Sequence, residues 1–113
     1  MLEKTTVEIL ERIRTPFYFY DMELLAATVD RIVSLSSKYD INVHYAVKAN
    51  VDRRIMEYIS SSGLGADCVS GNEVLYAIEC GFGPDNTVFA GVGKSDREIY
   101  SALKAGISSF NCE

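Results

Sequence analysis

A chain of 113 residues, 48% of them hydrophobic, is long enough for one core and too short for two ordinary domains. Its formal net charge is −5 and no basic run exceeds Arg53-Arg54, so it lacks the cationic stripe with which proteins hold a nucleic-acid backbone. No apolar stretch approaches membrane-spanning length and residues 1–14 show no signal-peptide core, so neither nucleic acid nor a membrane is expected as a partner and the cytoplasm is the expected location. Cys68, Cys80 and Cys112 are odd in number, widely spaced and set among small or apolar residues, a pattern that favours buried free thiols. With one histidine and no paired-cysteine spacing, no metal site is expected.

In chain order, Thr15-Pro16-Phe17-Tyr18-Phe19-Tyr20 is aromatic and strand-like, with proline at strand entry. Asp21 can cap the helix that follows, in which Leu24, Leu25, Val29, Ile32 and Val33 form an apolar stripe reaching about Lys38. Four β-prone runs come next, over 43–47, 66–70, 87–91 and 107–111, with a helical pattern in each gap. Gly63, Gly81 and Gly106 stand where those helices end, since glycine enters the left-handed conformation without a side-chain clash. Ser70-Gly71-Asn72-Glu73 and Ser95-Asp96-Arg97-Glu98 place serine three residues before glutamate, the capping-box pattern. The pairs Ile55/Ile59, Val74/Ile78 and Ile99/Leu103 are spaced to face a sheet.

This order is βαβαβαβ, and right-handed crossovers put its strands side by side in parallel. The predicted fold class is therefore α/β, the N-terminal half of a (β/α)8 barrel preceded by a strand and a helix. A closed barrel needs eight strands. The sequence stops directly after the fourth run, so its end is expected to be a truncation or a split point.

Lys48 ends the string His44-Tyr45-Ala46-Val47-Lys48-Ala49-Asn50 with no acidic residue within three positions. On a strand, His44, Ala46 and Lys48 share one face, and a lysine at the C-terminal tip of a buried parallel strand is placed to act as an amine nucleophile. The plainer alternative is a strand-end lysine that reaches solvent. His44, deeper on the same face, reads as a packed core histidine. Gly91-Val92-Gly93-Lys94-Ser95 has two glycines and a lysine but not the spacing of a phosphate-binding P-loop, and reads as a strand-to-helix turn. The aromatic run over 15–20 reads as packed strand before ligand-stacking surface.

Four blocks together, Tyr45-Ala46-Val47-Lys48-Ala49-Asn50, Gly65-Ala66-Asp67-Cys68-Val69-Ser70-Gly71, Phe89-Ala90-Gly91-Val92-Gly93-Lys94-Ser95-Asp96 and Phe110-Asn111-Cys112-Glu113, resemble the diaminopimelate decarboxylases, as does Thr15-Pro16 with its aromatic strand. Asn72 departs from a glycine common there, and Cys112 from a valine. The resemblance implies a pyridoxal-phosphate enzyme that decarboxylates meso-2,6-diaminopimelate to L-lysine, with this chain as its N-terminal part. Lys48 would be the catalytic, cofactor-holding lysine, and Asp67 a second cofactor-binding residue near it. For Asp67 a strand-start aspartate bonding loop amides is an equal alternative. The resemblance also implies a homodimer, an amino-acid substrate, and a division into an N-terminal segment, 1–20, whose strand joins a β-domain absent here, and a partial barrel, 21–113. Arginine, ornithine or carboxynorspermidine decarboxylases of the same fold, or a non-catalytic half-barrel binding module, are the alternatives.

Overall fold

Three of the expected helix ends are set by glycines that leave the helix backwards: Gly63, Gly81 and Gly106 have φ of 86°, 96° and 75° in the computed structural model, which describes residues 4–112. Between them the chain builds a parallel sheet in the order β1-β2-β3-β4, from His44–Ala46, Gly65–Cys68, Thr87–Phe89 and Ser109–Phe110. Helix α1 (Lys4–Leu10) and helix α2 (Met22–Tyr39) precede the sheet, and α3 (Arg53–Ser61), α4 (Gly71–Glu79) and α5 (Asp96–Ala105) fill the three crossovers. The expected βαβαβαβ order is therefore the order observed.

Register divides the sheet into two chemically different faces. Tyr45, Ala66 and Thr87 form one row, and Cys68, Phe89 and Phe110 the next row on the same side. Ala66, Cys68, Thr87 and Phe89 on that side are fully buried, in a core shared with Ile55, Met56 and Ile59 of α3, Val74 and Ala77 of α4, and Ala102 of α5. Burying a side chain the size of Phe89 or Met56 contributes roughly 1.5–3 kcal/mol. Thr87, the buried polar residue of the row, donates its hydroxyl to Gly83 O at 2.9 Å. The opposite face carries Ala46, Asp67, Val88 and Ser109 in one row, with His44 and Gly65 in the row beneath, and no helix lies over it among the described residues.

Several expectations change. Strand β1 stops at Ala46, because Val47–Ala49 winds into a 3-10 turn, and the second run ends at Cys68, with Ser70 acting as N-cap of α4. In α5 the inward residue is Ala102, at 1% exposure, while Leu103 is 61% exposed on a flank that no described element covers. Residues 15–20, expected as a strand, have no ladder partner among the described residues, and without a neighbour their backbone groups form no sheet. Tyr20 nevertheless packs against the core and Asp21 caps α2, its carboxylate accepting Leu24 N–H at 2.9 Å. The short helix α1, which the sequence pattern did not single out, buries none of its side chains.

Gly65 is required by its neighbours. A Cβ there would lie 2.4 Å from His44 Cδ2 and 2.6 Å from Asn86 O, whereas one on Gly93 would meet nothing within 4 Å. Gly65→Ala is therefore expected to destabilise the fold by roughly 1–3 kcal/mol, and Gly93→Ala by less than about 0.5 kcal/mol. Urea denaturation of the two variants checks this, and equal midpoints would show that the sheet absorbs the added methyl group.

Candidate active site

At the C-terminal end of β1 the chain leaves the sheet through a turn fixed at both ends. Val47, fully buried, anchors the 3-10 turn Val47–Ala49 beneath, and the Tyr45 hydroxyl donates to Asn50 O at 2.9 Å beyond it. Asn50 Oδ1 accepts Asp52 N–H at 2.8 Å. Asp52 then caps α3, accepting Arg54 N–H at 3.0 Å and the Arg54 guanidinium at 3.0 and 3.2 Å. That guanidinium bond holds the Asp52 carboxyl below its usual range, and burial pushes the Tyr45 phenol above its own. Lys48 is exposed on this turn, so its direction is set by the pinned loop and not by strand alternation as the sequence reading expected.

Asp67, on the face opposite the helical core, is the next candidate residue. It stands in register between Ala46 and Val88, and its Oδ1 is buried with no hydrogen-bond partner. Leaving such an oxygen unpaired costs on the order of 1–3 kcal/mol, more if it is charged, which makes Asp67 a candidate to receive a donor. The turn carrying Lys48 packs against β2, yet no ion pair or hydrogen bond joins Lys48 to Asp67 among the described residues. The alternative reading of Asp67, as a residue that bonds loop amides, does not describe Oδ1. His44 lies one row deeper, half-buried, its ring against Gly65.

The next two loops are tied by carboxylates. Ser70 Oγ accepts Glu73 N–H at 3.2 Å, and Glu73 Oε2 accepts Val69 N–H at 2.7 Å, so this cap is a capping box displaced by one residue. The Ser95/Glu98 box is complete. Glu98 Oε2 accepts Ser95 N–H at 3.0 Å and Ser95 Oγ at 2.7 Å, while Oε1 accepts Gly71 N–H at 2.9 Å.

Lys94 is engaged differently from Lys48. Its ammonium donates to Gly91 O and, at 2.7 Å, to Asn111 O, and it lies 5.4 Å from the centroid of Phe89. The parallel ladder ends there, with Ala90 N–H on Cys68 O and Asn111 N–H on Phe89 O, and the lysine supplies donors past its last rungs. This supports the reading of Gly91–Ser95 as a turn, because the cation is spent on main-chain carbonyls. The Cys68 thiol, pushed up to about 12 by burial, is no nucleophile. A groove of about 510 Å³ lined by Tyr20, Leu24, Tyr45 and Ile55 lies on the helical side and touches neither Lys48 nor Asp67.

The Lys48 and Asp67 pair suits pyridoxal phosphate: an exposed primary amine on a rigid turn matches its aldehyde, and a buried carboxylate oxygen without a donor matches a cationic or N–H group brought beside it. The sequence reading missed the Tyr45–Asn50 bond that closes the loop after β1 and the Glu98 bond to Gly71 N–H. Asn50-x-Asp52 was a readable signal, being the spacing of an Asx turn.

The half-barrel defines an α/β class of enzyme scaffold, and comparison with known proteins narrows it. Residues 25–113 match the model of the pyridoxal-dependent decarboxylase family, pyridoxal binding domain. A diaminopimelate decarboxylase of Bacteroides thetaiotaomicron is 45% identical over 108 residues, 95% of this chain and 28% of that protein. Among solved structures, the M. jannaschii diaminopimelate decarboxylase in complex with L-lysine aligns with a TM-score of 0.87 at 29% identity, over 95% of this chain and 26% of that one. The Helicobacter pylori enzyme complexed with L-lysine aligns with a TM-score of 0.75 at 34% identity, over 93% and 27%. The chain thus belongs to the pyridoxal-binding domain family of the pyridoxal-dependent decarboxylases, whose cofactor is pyridoxal phosphate. It spans about a quarter of the length of these relatives.

The Glu98 carboxyl, held at about 2 against an ordinary 4.5 by main-chain donors at Ser95 and Gly71, makes stability depend on pH. Between those values the unfolded chain binds a proton that the folded one does not, so the contribution is complete above about 4.5 and lost as pH falls towards 2. The melting-temperature gap between wild type and Glu98→Gln should be widest at neutral pH and close in strong acid. A gap that does not change with pH would show that the carboxylate charge is immaterial.

Proposed function

We propose that this chain is the lysine-bearing part of a diaminopimelate decarboxylase, which converts meso-2,6-diaminopimelate to L-lysine with pyridoxal phosphate. The observation that carries the reading is Lys48, exposed on a pinned turn one strand from Asp67, whose Oδ1 is buried without a partner. Pyridoxal phosphate, when bound, supplies an electron sink for the pair released as the carboxylate leaves as CO2. Lys48 Nζ holds the cofactor and moves a proton at product release. Asp67 Oδ1 would accept a hydrogen bond from a cationic group brought beside it and would favour its charged form. The buried Val47 and the Tyr45–Asn50 bond fix the backbone from which the amine extends.

Further parts of the reading go with this one. Residues 1–20 form an N-terminal segment that docks on a β-domain, supported by Tyr18, 89% exposed and stacked on Tyr20 at 6.4 Å, and residues 21–113 form the partial barrel. The complete enzyme is a homodimer with an amino-acid substrate. A cytoplasmic setting fits three free cysteines, and among the described residues no helix is long and apolar enough to cross a membrane.

Lys48→Ala, made in the complete polypeptide that carries these residues, should change the cofactor-free stability by no more than about 1 kcal/mol, since the exposed side chain fills no core. Turnover of meso-diaminopimelate should fall by at least about a thousandfold. Lys48→Arg should fail equally, because a guanidinium stays protonated and cannot add to the aldehyde. Retained activity in Lys48→Ala would remove the catalytic reading, and turnover of ornithine or arginine in preference to diaminopimelate would correct the substrate.

Borohydride reduction of the cofactor-loaded protein, followed by peptide mapping, should place the label on Lys48. Label on Lys94 would overturn the assignment, because that ammonium is committed to Gly91 and Asn111 carbonyls.

A further inference from the structure

Glu98 does more than cap its own helix. A capping box needs only the return bond to the N-cap amide, and Oε2 makes it. Oε1 leaves the helix altogether and takes the N–H of Gly71, first residue of α4 and 27 positions earlier. The two are also in close contact, since a Cβ on Gly71 would lie 2.7 Å from Glu98 Cγ and 3.0 Å from its Cβ. The start of α4 is therefore seated against one side chain of α5.

What α4 touches gives this seat its importance. Helix α4 packs on the Val47–Ala49 turn and on β2, and its Val74 and Ala77 share the core cluster with Val47. Ser70-Gly71 also follows Asp67 by only a few residues along the chain. We propose that Glu98 is a positioning residue of the Lys48–Asp67 mouth: by holding Gly71 N–H it fixes the start of α4 against the turn that carries Lys48 and the strand that carries Asp67. This role rests on the decarboxylase reading for its effect on catalysis, and on geometry alone for its effect on the turn.

Three variants of the complete polypeptide separate positioning from plain stability. Ser95→Ala weakens the α5 cap and leaves the Gly71 bond in place; Glu98→Asp keeps the charge but falls short of Gly71; Glu98→Gln keeps an oxygen that reaches it. Glu98→Asp should weaken pyridoxal-phosphate binding about tenfold and lower kcat, with KM for diaminopimelate changing less than about twofold. Glu98→Gln should recover most of that loss, and Ser95→Ala should retain cofactor affinity within about twofold despite a lower melting temperature. Hydrogen exchange at the amides of Val47–Ala49 should quicken in Glu98→Asp and not in Ser95→Ala. Cofactor affinity that simply follows melting temperature across the three variants would overturn the proposal. If the wild type binds no pyridoxal phosphate, the decarboxylase reading fails by itself, and the exchange comparison still decides Glu98: unchanged protection of the turn in Glu98→Asp refutes it.

Discussion

The parallel register that sets Ala46, Asp67, Val88 and Ser109 in one row decides almost everything else about the molecule. Once these residues face one way, their neighbours Ala66, Cys68, Thr87 and Phe89 must face the helices, where they are fully buried. Shifting β2 by a single residue would put Asp67 into the apolar core, and shifting β3 would put Phe89 onto the open face. The cost of that exchange, several kcal/mol of lost burial and uncompensated charge, locks the row in place.

A parallel sheet also leaves its C-terminal ends incomplete, and this chain finishes them with side chains. Lys94 spans the ends of β3 and β4, Glu98 joins the loop after β3 to the helix after β2, and Tyr45 with Asn50 closes the loop after β1. None of these bonds belongs to a helix or strand ladder. The Lys94 and Glu98 bonds tie the segments after β2, β3 and β4 to one another, while the Tyr45–Asn50 bond closes the first loop on itself.

Local signals in the sequence were read well because local physics decides them. Glycine at 63, 81 and 106 ends helices for steric reasons that need no tertiary information, and the Ser95–Glu98 box closes within one turn. Alternation failed at Val47 for a definite reason: a buried residue anchoring a 3-10 turn and a buried residue continuing a strand have the same apolar side chain, so period two cannot tell them apart. The choice of Leu103 over Ala102 as an inward residue of α5 failed similarly, since a small side chain permits close approach that hydrophobicity alone does not reveal. Lys48 and Asp67 were legible as residues of interest through their string and their resemblance. The second arm of Glu98 was not, because its partner lies 27 residues away and is a main-chain amide with no side chain to betray it.

The contact between Gly71 and Glu98 has a consequence for how this protein can change. The place a Cβ would take on Gly71 is already filled by Glu98 Cβ and Cγ, so no volume can be added at position 71 without loss at 98. A residue without a Cγ at 98 would relieve the 2.7 Å contact of an alanine at 71 but not the 3.0 Å contact with the Cβ, and it would give up the bond to Gly71 N–H. These two positions should behave as one unit of inheritance, with strongly non-additive effects in a double-mutant cycle.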